Sequence, residues 1–388
     1  MLNETWWRQL SELDDHQKAV IGLPADGSFL VIGPPGSGKT NLLLLRSNYL
    51  SRTEHPNLAV VVFNRTLCNF IRAGAERYTF DPKRVQTIGQ LFNSVLEEAG
   101  TRNEFEGEFA EVREARAAAV REVLSAGQTQ VFDTILLDEA QDYLIEELEV
   151  IRALCHDVFL VADSRQQIYG DSVKFSDLAG LVSETHTLPF NYRSGPRICQ
   201  VADGIGNRFV GRPYEAVLPS CNYPNERPAS TVEVVTESFR EQCETIADRL
   251  RVQLRAYSDE MLAVITPRVE EVRAIAEFLE QTDLADRLCV QSREDGYQPL
   301  DESKPIWVST VHSAKGLEFG AVHFAGADLV ARFRGEQKRL AYTGVTRAKI
   351  SLTVYHERPL PAYFDSAFND LRPLSGDRPD IGIAFGDG

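Results

Sequence analysis

Residues 33–40 read Gly33-Pro34-Pro35-Gly36-Ser37-Gly38-Lys39-Thr40, between the apolar run Phe29–Ile32 and the helix-prone run Asn41–Leu50. The octet fits G-x-x-x-x-G-K-[ST], a loop whose backbone N–H groups cradle phosphates while its lysine and hydroxyl serve the γ-phosphate and a magnesium ion. Such a loop must sit between a strand and a helix N-terminus, and the flanking runs supply both. Downstream, Ile135-Leu-Leu-Asp138-Glu139-Ala-Gln141-Asp142 is an apolar run ending in acids. That is the form of a buried strand that delivers carboxylates to the metal. The pair predicts hydrolysis of a nucleoside triphosphate, with ATP and Mg2+ as the expected ligands. All eight loop residues are expected at the nucleotide, Thr40 and Asp138 at the metal, Lys39 at the γ-phosphate, and Glu139 at the attacking water.

The same alternation of strand and helix runs along the chain. Ala59–Phe63, Thr134–Asp138 and Asp157–Ala162 read as strands in the first half, with a mixed-charge helix over Phe105–Leu124. A second cycle follows residue 185: Val232–Val235, Leu262–Thr266, Ile306–Thr310, Val322–Ala325 and Ser351–Tyr355 read as strands, with helices near 238–256 and 267–281. Strands alternating with helices imply parallel, doubly wound α/β sheets. The reading gives an N-terminal ATP-binding domain over 1–185, a C-terminal domain over 186–374 and a loose Gly/Asp/Pro-rich tail over 375–388. Gly211–Ser230 holds four prolines and reads as an excursion from the second domain.

Composition bounds the partners. The chain has 388 residues, 43% hydrophobic and 25% charged, the balance of a soluble globular protein with room for two cores. Leu42–Leu45 is cut short by Arg46, so no run reaches the ~20 apolar residues that span a bilayer. No membrane partner is expected, and a cytoplasmic setting is. The six cysteines form no C-x-x-C pair, which argues against a metal ribbon, and they read as small buried apolar residues. The net charge of −16 means that any nucleic-acid groove must be a local basic and aromatic strip on an acidic body.

Catalysis that depends on conformation also needs a cation arriving from elsewhere, and Arg193 and Arg347 stand in suitable loops of the second half. Their surroundings carry a resemblance. Leu13–Gln17 looks like a Q motif, Val60–Thr66 like motif Ia, and Gln86–Phe92 like the threonine-bearing segment after it. Asp138–Asp142 looks like motif II, Val161–Tyr169 like motif III, and Leu188–Ser194 like motif IV. Val308–Phe319 and Leu340–Ala348 look like motifs V and VI. In this order the segments resemble a superfamily 1 helicase of the UvrD/Rep/PcrA type, along nearly the whole chain. The resemblance implies two RecA-like domains with ATP between them, and an ATPase or helicase that moves on single-stranded nucleic acid, with DNA the expected strand. It implies that Gln17 reads adenine, Tyr192 stacks on it and Glu318 reaches the ribose. Gln166, Arg193 and Arg347 would meet the γ-phosphate. Phe63, Thr87, Tyr169, Thr310 and His312 would face the strand.

The sequence also departs from that family. Full-length relatives insert accessory domains between motifs Ia and II and between motifs IV and V. Here residues 93–134 and 195–307 leave little room for either, so the resemblance is to a compact form. After Tyr169 the chain runs Gly-Asp-Ser-Val-Lys174-Phe175 instead of the family's base-stacking segment, which leaves Tyr169, Phe175 or neither to stack. Gly89 replaces a usual histidine. A rival reading is therefore kept: an ATPase switch subunit of a larger assembly, such as a nuclease-associated or phage-defence complex, with a nuclease as its protein partner.

Overall fold

A computed structural model describes residues 7–53, 55–74, 78–101, 104–127, 132–166, 173–209, 214–224, 228–292, 296–297, 301, 303–332 and 337–371. Tyr169 and the tail over 375–388 lie outside the described residues.

The first half folds into β1 (Phe29–Ile32), β2 (Leu58–Val62), β3 (Val85–Thr87), β4 (Phe132–Leu137), β5 (Cys155–Ala162) and β6 (Glu184–Thr187). They form one sheet in the order β3-β2-β4-β5-β1-β6, and every pairing is parallel. The helices are α1 (Asp15–Ile21), α2 (Lys39–Leu50), α3 (Arg65–Ala73), α4 (Ile88–Glu98), α5 (Phe109–Ser125), α6 (Ile145–Leu154) and α7 (Phe175–Gly180). The central strands are buried along almost their whole length, which is why they read as unbroken apolar runs. β6 escapes such a reading because Glu184-Thr-His-Thr is a polar, mostly exposed edge strand. It pairs with β1 through Ile32↔Thr187, so the first sheet extends past residue 185.

The second half begins with α8 (Pro196–Gly206) and builds a seven-stranded sheet. Its elements are β7 (Ser230–Val235), α9 (Phe239–Ala256), β8 (Leu262–Thr266), α10 (Val269–Glu280), β9 (Leu288–Ser292), β10 (Gly296–Tyr297) and β11 (Ile306–Thr310). There follow α11 (Val311–Ala314), β12 (Phe319–Phe324), α12 (Gln337–Val345), β13 (Ala348–His356) and α13 (Ala362–Asn369). The order is β10-β9-β11-β8-β12-β13-β7, parallel except for the β10–β9 pair. Both halves are thus parallel α/β domains of the RecA-like kind. Among the described residues, 93–134 and 195–307 are absorbed by these two domains and form no third one.

The excursion after α8 is pinned by one buried carboxylate. Asp203 accepts from the Tyr214 hydroxyl at 2.6 Å and from the backbone N–H groups of Val217 at 2.7 Å and Leu218 at 2.9 Å. The domains share an apolar cluster in which Leu43, Val60 and Leu67 of the first continue into Val311, Leu317 and Tyr342 of the second. Gly316 is the close approach in that seam. Its φ is +85°, and a Cβ there would come 2.6 Å from the Leu67 side chain. Asn64 Nδ2 donates to the Lys315 carbonyl at 2.9 Å beside it.

Candidate active site

The parallel register places the chemistry. β4, β5 and β1 are neighbours, with Leu137↔Leu160 and Val31↔Val161 paired, so their carboxyl ends deliver Asp138–Glu139, Asp163 and the Gly33–Lys39 loop to one edge. Ligands of open α/β sheets bind at that edge. The second domain presents the opposite ends of its strands. Glu318 precedes β12 and Arg347 precedes β13, held abreast because Phe319 N–H donates to the Arg347 carbonyl at 3.0 Å. A cavity of about 260 Å³ lies between the two edges, lined from both domains by Gln17, Lys39, Glu139, Tyr192, Arg193 and Arg347 among others.

The loop itself needs glycine at two points. Gly36 and Gly38 have φ of +76° and +84°, and a Cβ on Gly36 would come 2.2 Å from Asn191 Oδ1. The second-domain loop therefore sits directly on Gly36, and Tyr192 N–H donates to the Gly36 carbonyl at 3.0 Å. Lys39 Nζ donates to the carbonyls of Gly33 at 2.9 Å and Pro34 at 2.8 Å. Burial pushes its ammonium below the ordinary lysine range, against the pull of Asp163 and Glu139. Asp163 Oδ2, buried and 3.9 Å from Lys39 Nζ, has no hydrogen-bond partner among the described residues.

Thr40 Oγ1 donates to Asp138 Oδ2 at 2.9 Å. Burial, and then the neighbouring Glu139, push the Asp138 carboxyl up to about 7. A hydroxyl and a buried carboxylate crowded by a second carboxylate make a hard-oxygen donor set, which fits a magnesium-like cation. Glu139 has φ of +51°, the one non-glycine positive φ among the described residues. Such strain concentrates at functional sites. Although burial opposes it, Lys315, Lys39 and Arg347 hold the Glu139 carboxyl below its ordinary range, and Gln141 Nε2 donates to it.

The arginines close the far wall. Arg347 is fully buried, and its guanidinium donates to Gln166 Oε1 at 2.6 Å, to Leu317 O at 3.0 Å and to Thr343 O at 3.0 Å. Burial and the nearby Arg193 push it down to about 9. Arg193 Nε donates to Glu318 Oε2 at 2.6 Å. Burial pushes Glu318 up, but Arg193 and Lys349 hold it below its ordinary value. Gln17 is already engaged at both ends of its amide: Oε1 accepts from Asp14 N–H at 3.2 Å, and Nε2 donates to Ser37 O at 3.0 Å. Tyr192 packs edge-on to Phe190 at 6.0 Å, and its buried hydroxyl has no hydrogen-bond partner among the described residues.

Sequence reasoning gave no role to Lys315 or Asp142. Lys315, fully buried, donates to Asp142 Oδ2 and to the Gln166 carbonyl, and its Nζ lies 3.7 Å from Glu139 Oε2. Burial pushes Asp142 up to about 7, partly offset by Lys315. The pair spans 173 sequence positions, so only the fold joins them. The last acid of Asp138–Asp142 and a lysine before a left-handed glycine were the available signals.

Of the residues expected at the strand, the described ones, Phe63, Thr87, Thr310 and His312, stand outside the cavity lining. Phe63 packs edge-on against Tyr143 at 5.4 Å, under the Arg113 guanidinium at 5.5 Å. Thr87 caps α4 by accepting from Gln90 N–H, and Thr310 caps α11 by accepting from Ser313 N–H at 3.2 Å. Burial and Lys315 lower His312 to about 4.

Fold and cleft define a two-domain P-loop α/β protein whose putting-together of strand edges forms the cavity. Comparison narrows the kinship. Residues 305–355 match the UvrD-like helicase C-terminal domain. A probable DNA helicase of Mycoplasma pneumoniae is 28% identical over 247 residues, covering 57% of this chain and 43% of that protein. DNA helicase II of Haemophilus influenzae is 35% identical over 122 residues, covering 24% of this chain and 17% of that protein. The matches thus span less than half the length of either relative. The C-terminal domain of a possible DNA helicase from a Lactobacillus, solved by crystallography, matches at a TM-score of 0.33 and 22% identity over 45% of this chain and 91% of that one. The chain is similar to the UvrD-like DNA helicases. Among the described residues no helix is long and apolar enough to cross a membrane.

Proposed function

We propose that the chain hydrolyses ATP between its two domains and couples that hydrolysis to single-stranded nucleic acid, with DNA the preferred strand, as a compact UvrD-like helicase or translocase core. One observation carries the reading: phosphate-loop Lys39 and Glu139 face Arg193 and Arg347 of the other domain across a single cavity. In that arrangement a ligand with several negative charges draws the domains together.

Lys39 would release the Gly33 and Pro34 carbonyls and turn to the γ-phosphate, which suits a largely buried ammonium that gives its short hydrogen bonds to neutral carbonyls, with Asp163 3.9 Å away. Thr40 and Asp138 would hold the magnesium ion, which supplies positive charge against the phosphates. Glu139, kept anionic by Lys315, Lys39 and Arg347, accepts a proton from water. Arg347 and Gln166 already touch, so a charge at either is felt by the other domain. Tyr192 and Gln17 would hold the base, and Glu318 the ribose.

The test is steady-state ATPase activity with no nucleic acid, single-stranded DNA, single-stranded RNA or duplex. Turnover stimulated most by single-stranded DNA supports the reading. Turnover that no strand stimulates removes the coupling and leaves a bare ATPase, for which a protein partner becomes the next activator to assay.

A further inference from the structure

The six cysteines do not share one environment. Cys68, Cys155, Cys243 and Cys289 are buried, and burial raises their thiols above the ordinary value. Cys199 in α8 and Cys221 at the end of the excursion stand together. Both Sγ atoms donate to one oxygen, the Ser194 carbonyl, at 3.3 Å and 3.4 Å. Cys199 is sealed inside, whereas Cys221 is the one cysteine of the six with partial solvent exposure. The neighbouring Cys199 draws the Cys221 thiol down to about 7 despite burial. An accessible, acidified thiol beside a second one is the arrangement that peroxides oxidise selectively.

The pair is wired to the loop that carries Tyr192 and Arg193. Asn191 Nδ2 donates to Cys199 Sγ at 3.2 Å, while Asn191 Oδ1 accepts from the N–H groups of Arg193 at 2.9 Å and Ser194 at 3.2 Å. The backbone of Asn191 pairs with the strand-like turn at Cys221, through Asn191 N–H to Ser220 O at 2.9 Å and Asn222 N–H to Asn191 O at 2.8 Å. The Asn191 side chain that accepts from the Arg193 N–H therefore also touches the Cys199 sulfur, and the Asn191 backbone flanks Cys221.

We propose that Cys199 and Cys221 form a reversible disulfide site, oxidised by hydrogen peroxide, that controls the position of the Tyr192–Arg193 loop. The Cys221 thiolate attacks one peroxide oxygen, the O–O bond breaks, and one water leaves after protonation, giving a sulfenic acid at Cys221. The Cys199 sulfur then displaces the sulfenic oxygen as a second water, so two thiols lose two electrons and the peroxide gains them. The S–S bond forms at ~2.05 Å, closer than two thiols that share one carbonyl acceptor, so the turn at Cys221 moves toward α8. Neither sulfur retains a hydrogen, and the Ser194 carbonyl loses both donors. The loop then releases Arg193 from its place beside Glu318.

The disulfide is independent of the ATPase reading, whereas its effect on turnover rests on it, and the experiment separates the two. The full chain is treated with hydrogen peroxide and examined by intact mass, peptide mapping and hydrogen exchange. We expect loss of two hydrogens, a cross-linked peptide joining Cys199 to Cys221, and faster exchange at the Arg193 and Ser194 amides, all reversed by dithiothreitol and absent in Cys221→Ser. ATPase turnover should fall about fivefold in the oxidised chain, the equivalent of one net hydrogen bond, and recover on reduction. A gain of oxygen without the cross-link, or a cross-link between other cysteines, overturns the site. A Cys199–Cys221 cross-link with unchanged exchange at 193–194 overturns the control of the loop. Absence of ATPase activity in the reduced chain as well would instead count against the proposed function, with mass and exchange still deciding the disulfide. Cys199→Ala, which keeps a small apolar group in the buried position, repeats the test if Cys221→Ser folds poorly.

Discussion

The inter-domain cleft and the residues expected at a nucleic-acid strand use their polar groups in opposite ways. In the cleft, Lys39 rests on two neutral carbonyls, Asp163 Oδ2 and the Tyr192 hydroxyl lack hydrogen bonds among the described residues, and Arg347 is buried beside another arginine. Asp163 Oδ2 and the Tyr192 hydroxyl have free capacity, and Lys39 and Arg347 hold positive charge against neutral acceptors, which a polyanionic ligand with its cation would use. Thr87 and Thr310, by contrast, cap helices, and Phe63 packs between Tyr143 and Arg113. The difference teaches that preorganisation for a ligand shows as unsatisfied buried chemistry. Residues with a full set of intramolecular partners must be judged by how they respond when that set is disturbed.

The largest expected effects test the cleft. Lys39→Ala and Glu139→Gln should both abolish turnover, but only the second should retain ATP, since in the proposed function Lys39 would meet the phosphate whereas Glu139 would serve the water. Equilibrium binding of a fluorescent ATP analogue beside steady-state turnover separates them. Unaltered hydrolysis in Glu139→Gln would remove this carboxylate as the base. Next, Arg347→Ala should lower kcat by about 10³-fold while changing KM for ATP far less, as expected of a cation that acts on developing charge. Equal losses in both would make Arg347 a ground-state binding residue, and its hold on Gln166 merely structural.

The third effect probes the other side of the comparison. Phe63→Ala removes a ring packed on Tyr143 and should cost about 3 kcal/mol of unfolding free energy in urea, near the lower end for aromatic truncation because the ring is only partly buried. Lys39→Ala, measured alongside, should leave stability nearly unchanged. A Phe63→Ala variant of native stability that loses affinity for single strands would break the comparison, because the ring would then be serving a base.

How legible all this is in the sequence depends on where each energy term resides. Phe29–Ile32, Leu262–Thr266 and Ile306–Thr310 are strands buried on both faces, and their composition alone announces them. The edge strands are silent: Glu184–Thr187 is polar, and Val85–Thr87 has only three residues. In the site, the phosphate loop is legible because one local backbone path requires both its glycines and its lysine. The Lys315–Asp142 bridge and the Cys199–Cys221 pair are not, since each exists only after distant segments pack. For the same reason the sequence could suggest that Thr310 faces a strand, but not that its hydroxyl already caps a helix.

The smallest effect is also the most discriminating for that residue. Thr310→Ala removes the acceptor for Ser313 N–H and should cost about 1 kcal/mol, read as a shift in the urea midpoint. Thr310→Asp restores a good capping oxygen and should recover most of that loss, while placing a negative charge where the proposed strand would run. If Thr310 only caps α11, single-strand affinity should follow stability, falling slightly in the alanine variant and returning in the aspartate. If it also faces the strand, affinity should fall further in the aspartate than in the alanine, and the gap should narrow as salt is raised, because phosphate repulsion is screened. The two roles thus order the same two variants in opposite ways.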